Sequence, residues 1–186
     1  MRANEFIIEY ELSANSVIPA RVSEDDIITD DFMKTELGTV SGYRVVLYRS
    51  NETYITGYTF ITDPSTGETI GHIEHKMPTS HSRLALSNIR KLPGASFQMV
   101  DVLRLLLSAG YTLESDNTNT KDGAHKMLMR LAAIHPNCHI EDGDGNIVQI
   151  DGPITSVENQ KKFAISSSTP KFLDNDIHKY VIVFVP

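Results

Sequence analysis

Cysteine is nearly absent from this 186-residue chain: Cys138 stands alone, so no internal disulfide can form, which fits a reducing compartment. Long apolar runs are missing as well. The longest, Val181–Val185, is the length of a buried strand, far short of the roughly 20 residues that span a bilayer. Met1–Tyr10 carries one Arg and two Glu, which a secretory signal does not. Positive charge is scarce: 17 Lys and Arg face 24 Asp and Glu, a net charge of −7, which excludes a broad electrostatic footprint for nucleic acid and leaves room only for a local basic patch. No internal repeat and no low-complexity tract is visible.

What remains is ordinary soluble material. Hydrophobic residues make up 40% and charged residues 22%, at a length that buries a real core in one domain. Phe6, Ile8, Tyr10 and Leu12 alternate with Ile7, Glu9 and Glu11 and predict a first strand. Ser23 and Asp26 resemble a capping box. Ile27, Ile28, Phe32, Met33 and Leu37 then follow a helical period up to Gly38, with a break near Asp30-Asp31. Four antiparallel strands are expected at Tyr43–Arg49, Tyr54–Thr62, Thr69–Lys76 and Arg83–Ile89, with a hairpin loop at Asp63–Gly67. Phe97–Ala109 is apolar on nearly every side and predicts a buried helix, N-capped by Ser96 and stopped by Gly110. A strand at Tyr111–Ser115 follows. A helix at Lys121–Ile134 places Ala124, Met127, Leu128, Leu131 and Ile134 on one face. His139–Ile150 folds back around Asp142–Asn146, Gly152–Ser168 is the least regular stretch, and His178–Val185 is apolar on both faces, as a central strand is. The fold class is α/β (α+β), a mixed and largely antiparallel sheet with helices packed on it.

Two junctions invite a functional reading. At Ile89–Ser96 a strand runs through Pro93-Gly94 into the buried helix. The N–H groups of such a turn and helix start favour an anion such as a pyrophosphate, and Arg90 and Lys91 add charge; many α/β connections share this form without a ligand. At Ser115–Thr120 a polar run links a strand to a helix. It is explained as a turn with Thr118 or Thr120 as N-cap, or as the lip of a site in which Glu114, Ser115 and Asp116 stand at a strand's carboxyl end. No metal is expected. His72, His75 and His81 with Cys138 and His139 invite a zinc reading, but the spacing His72-x-x-His75 puts those two rings on opposite faces of a strand, and one Cys-His pair is not a structural zinc signature. Asp142, Asp144 and Asn146 copy the opening of a calcium loop, but Ile147 and Pro153 stand where Gly and Glu are needed, so a hairpin turn is expected.

The element order, the buried helix after Lys91–Ser96, and above all Gly110-Tyr-Thr-Leu-Glu-Ser-Asp, Gly123 and Met127-Leu-Met-Arg-Leu131 are similar to the GNAT acyltransferase fold. They look most like a divergent, phage-encoded branch in which a Ser-Asp strand end precedes a short helix with a bulky residue, here Met129. The resemblance implies a single GNAT-like domain over 1–186, with its core at about 5–150 and a C-terminal extension carrying the final strand over 151–186. It implies acetyl-CoA as a possible cofactor, its pyrophosphate on the turn formed by Lys91, Gly94, Ala95 and Ser96, with Asp116 or Glu114 taking a proton from an acceptor amine. The family's basic or Gln residue followed by closely spaced glycines is missing here, the Lys121–Ile134 helix has no Tyr to act as the frequent general acid, and one extra strand precedes the buried helix. Met1–Glu9 also resembles the short leaders of some tailed-phage head proteins, which are cleaved after an Ile-x-Glu pattern. The expectation is a phage-encoded protein of the host cytoplasm or the virion, with a degenerate acyl-CoA site and no catalysis. Its partner would be a phage or host protein, not a membrane or nucleic acid. The alternative is an active acetyl-CoA-dependent N-acyltransferase.

Overall fold

A computed structural model describes residues 24, 28, 32–50, 57–76, 82–115, 124–162 and 180–186. The strand expected at Phe6–Leu12, the leader-like opening and the run from Asp116 to Thr120 lie outside these described residues.

The described residues form one mixed nine-stranded sheet with few helices. Its first five strands form an antiparallel meander: β1 (Phe32–Val40), β2 (Tyr43–Ser50), β3 (Gly57–Thr62), β4 (Thr69–Lys76) and β5 (Arg83–Lys91). Helix α1 (Met99–Ser108) crosses over to β6 (Thr112–Glu114), which lies parallel to β5. Helix α2 (Ala124–Ile134), the hairpin of β7 (Cys138–Glu141) and β8 (Ile147–Val148), and a short α3 (Val157–Lys162) follow. The last strand, β9 (Val181–Phe184), inserts between β6 and β7, antiparallel to both. The order across the sheet is β1-β2-β3-β4-β5-β6-β9-β7-β8.

The four central strands sit where the alternation of the sequence puts them, and β9 is central, as its two apolar faces require. The first element is a correction. Phe32, Met33 and Leu37 belong to a strand, not a helix; before them, the Ile28 N–H bonds the Glu24 carbonyl at 2.9 Å. The physical reason is the two-residue connection Ser41-Gly42. Both residues have positive φ, 50° and 86°, the backbone of a type I′ hairpin, which folds the preceding residues back onto β2. A bulge between Glu36 and Gly38 disturbs the alternation of β1 and produces the helix-like spacing.

Two further corrections concern helices. The buried helix begins at Met99 with Gln98 as its N-cap, not Ser96, and Gly110 stops it at φ 90° as expected. The stretch expected to be least regular holds α3, whose first turn is closed by the Ser156 hydroxyl accepting the Asn159 N–H at 3.1 Å.

One sheet face carries the main core. Val45, Leu47, Ile61, Ile73, Leu84, Leu113, Ile140, Ile182 and Phe184 meet Val102, Leu103 and Leu106 of α1 and Met127, Leu128 and Leu131 of α2. Both helices therefore share this face. Leu103 and Leu106 are fully buried, whereas Ile134, at the end of α2, is 56% exposed despite its place in the apolar pattern. On the opposite face a smaller cluster of Val46, Tyr48 and Phe60 gathers Ile28, Phe32 and Tyr58.

Candidate functional site

Among the described residues, the sheet departs from antiparallel pairing only where β5 and β6 run side by side. Their register is Arg83 with Thr112, Leu84 with Leu113 and Ala85 with Glu114, and there it ends, while β5 runs on to Lys91. Ser115 then ties β6 to the other neighbour: its N–H donates to the Ile182 carbonyl at 2.8 Å and its hydroxyl accepts the Ile182 N–H at 2.9 Å. The two parallel strands thus part at Ser115, with the Lys91–Met99 turn at the far end of β5.

That turn is held from inside. The ammonium of Lys91 donates to the Phe97 carbonyl at 2.6 Å and lies 5.0 Å from the centre of the Phe97 ring. The Ala95 N–H reaches the Leu92 carbonyl at 3.3 Å, and Ser96 Oγ lies 3.3 Å from the Tyr43 hydroxyl. Phe97 is fully buried, edge-on to Tyr43, and its ring packs 3.0 Å from where a Cβ on Gly71 would be, so Gly71 is the floor that lets the anchor in. Gly94 sits at φ 85° at the exposed tip of the turn, with no atom within 4 Å of a Cβ built there. Asp101 stands in the first turn of α1. A carboxylate there complements the helix dipole and opposes a second anion at the same end.

Of the residues singled out in the sequence, Lys91, Gly94, Ala95 and Ser96 are brought together, Glu114 lies at the parting of β5 and β6, and Asp116 falls outside the described residues. Glu114 is engaged: its Oε2 accepts from Arg83 Nε at 2.6 Å. The same guanidinium gives Nη2 to Glu141 Oε2 at 2.7 Å, and Glu141 Oε1 lies 2.9 Å from His139 Nε2. Burial raises the proton affinity of Glu141, but the bonds from Arg83 and His139 outweigh it and hold its carboxyl below the usual range. For Arg83, burial acts against the charge, and the bonds and charges of Glu141 and Glu114 reverse this, so its pKa lies above the ordinary value. The cluster is a half-buried ion-pair network in which both carboxylates are bound to one guanidinium, a poor setting for a general base.

Arg83 and Glu141 were not among the sequence candidates, and His139 was considered only as a zinc ligand. The signal that marks them is alternation: each is the polar residue beside an apolar one, Leu84 or Ile140, that faces the helices.

The remaining expectations concern metals and thiols. His72 and His75 lie on opposite faces of β4, 1% and 0% exposed. Among the described residues, no three His, Cys, Asp or Glu side chains are placed to hold a metal. Asp142 Oδ1 accepts the N–H groups of Asp144 and Asn146 at 3.0 and 2.9 Å, which makes the segment a hairpin turn. Burial pushes the Cys138 thiol up, away from the thiolate needed for nucleophilic chemistry. Comparison with protein-family models, with curated proteins and with solved structures finds no match.

Proposed function

We propose that the chain is a GNAT-like protein whose acyl-CoA cleft has become structural, and that it acts as a non-catalytic accessory or virion protein through contact with another protein. The GNAT-like part of this reading is supported by topology. A single parallel pair joined by an apolar helix, set in an otherwise antiparallel sheet and parting just past Ala85 and Glu114, is the frame in which an acyl-CoA would lie between strands. The loss of catalysis is carried by one observation: Lys91, the cation nearest the turn's amides, donates to Phe97 O inside the turn. Asp101 in the first helical turn and the Arg83 clamp on Glu114 act in the same direction.

The test is a thermal melt with acetyl-CoA and with CoA, combined with transfer of labelled acetyl to a panel of amines. A ligand at 100 times its dissociation constant stabilises by roughly 2.7 kcal/mol, about 5–10 °C in a protein of this size. The expected result is no shift and no transfer. Acetyl transfer, together with a shift of that size that is lost in Gly94→Trp while the variant still unfolds cooperatively, would establish the acyltransferase alternative instead.

A further inference from the structure

Helices α2 and α3 border a shallow, open groove of about 490 Å³ that shares no residue with the Lys91–Met99 turn. Its floor is apolar: Met129 and Ala133, one turn apart on α2. Its rim is cationic: Lys126 and Arg130, also one turn apart on the same helix. No residue lining the groove is acidic, in a chain whose net charge is −7. Met129 is the bulky residue the family resemblance singles out, and here it lines this groove.

The far wall is fixed in place. Gln160 Oε1 lies 2.7 Å from His125 Nε2, and its amide donates to the Thr155 carbonyl at 2.6 Å. Asn159, 4% exposed, holds the same helix to the preceding loop by donating to the carbonyls of Asp151 and Pro153 at 2.9 and 3.0 Å. A groove whose wall is tied to both neighbours needs little ordering on binding.

We propose that the α2–α3 groove binds a small amphiphilic anion, its phosphate or carboxylate head on Lys126 and Arg130 and its apolar body over Met129 and Ala133. The same chemistry is offered by a nucleotide, with a ring as the body, and by a fatty acyl carboxylate, with a chain. Isothermal titration of the full chain with 1-naphthyl phosphate and with octanoate separates the two sources, with inorganic phosphate and 1-naphthol supplying head and body alone. The expected result is saturable 1:1 binding of at least one of the two anions, weakened at least about tenfold by Arg130→Glu and by Lys126→Glu and weakened by added salt. Each half-ligand is expected to bind at least about tenfold more weakly than the whole. Both substituted residues are exposed, so a melt of each variant confirms that its fold is intact. Absence of saturable binding to either anion overturns the proposal. So does binding that the two charge reversals leave unchanged, or binding of inorganic phosphate as tight as that of 1-naphthyl phosphate.

Discussion

The two faces of the sheet are built from alternate residues of the same strands and have been put to different uses. Toward α1 and α2 the strands present Leu, Ile, Val and Phe almost without interruption. Toward the other side, the β2–β3 end presents Val46, Tyr48 and Phe60, and the β5–β7 end presents Arg83, Glu114, His139 and Glu141. The first face is specified by transfer of apolar area from water, which is non-directional and tolerant of register detail. The second is specified by pairings that work only if three strands meet in one register. β4 shows the contrast within one strand. His75 lies on the helix side with Nε2 2.7 Å from Thr59 Oγ1, and His72 lies on the opposite side, 6.2 Å from the Phe60 ring centre, with its Nε2 left without a partner.

Acid should break both faces at once, and this is the largest effect expected. Burial drives the pKa of His72 down to about 4, with the Arg90 charge adding to it, and burial alone drives His75 down to about 3. Both rings are neutral in the fold and titrate near 6.5 when unfolded, so the unfolded state binds more protons below that pH. Their contribution is complete above 6.5 and is lost as pH falls toward the folded values. By about pH 4.5 each ring costs close to 2.7 kcal/mol, roughly 5 kcal/mol together. Urea unfolding between pH 7 and 4.5 should show this slope, and His72→Phe, which removes one titration, should flatten it by about half. A pH-independent midpoint over that range would mean that the rings are not buried as described.

Next in size is truncation of the helix-facing core. Leu106 is fully buried between α1 and the sheet, and Leu106→Ala should cost about 2–5 kcal/mol by chemical denaturation, with the spread set by how far the cavity closes. A loss below about 1 kcal/mol would show that this face is loosely packed.

The same division governs what could be read from the sequence. β2 to β5 were legible because each is a short run rich in apolar and β-branched residues with turn residues between the runs. β1 was not, because the bulge at Glu36–Gly38 shifts its period and places Phe32, Met33 and Leu37 at helical intervals; the Ser41-Gly42 hairpin signal was present and overlooked. The helix start was misplaced by two residues because Phe97 is drawn into a contact with Gly71, which no local pattern reveals. In the site, the proximity of Lys91, Gly94, Ala95 and Ser96 follows from their being adjacent in sequence. The ion-pair network joins Arg83 to residues 31 and 58 positions away, so its existence depends on a strand order that includes the insertion of β9.

The smallest effects expected compare two ion pairs on the face opposite α1 and α2. Glu141, only 8% exposed, holds Arg83 and His139, whereas Glu36, on the edge strand, takes both Nε and Nη2 of Arg44 at 3.1 and 2.7 Å with its side chain 54% exposed. Bond for bond the Arg44 pair is the better formed, since it is bidentate. Solvent decides otherwise. Exposed pairs are screened and must order two long side chains, so Glu36→Gln should cost no more than about 0.5–1 kcal/mol and should lose even that in about 1 M salt. Glu141→Gln removes the charge that faces the half-buried Arg83 and leaves one acceptor oxygen, which can serve Arg83 or His139 but not both, so it should cost about 1–3 kcal/mol, with little dependence on salt. Urea melts of the two variants at low and high salt give the comparison directly. If the two losses are equal, or if the Glu141→Gln loss vanishes in salt, the network is a solvated surface cluster and the face beside β6 is open to water.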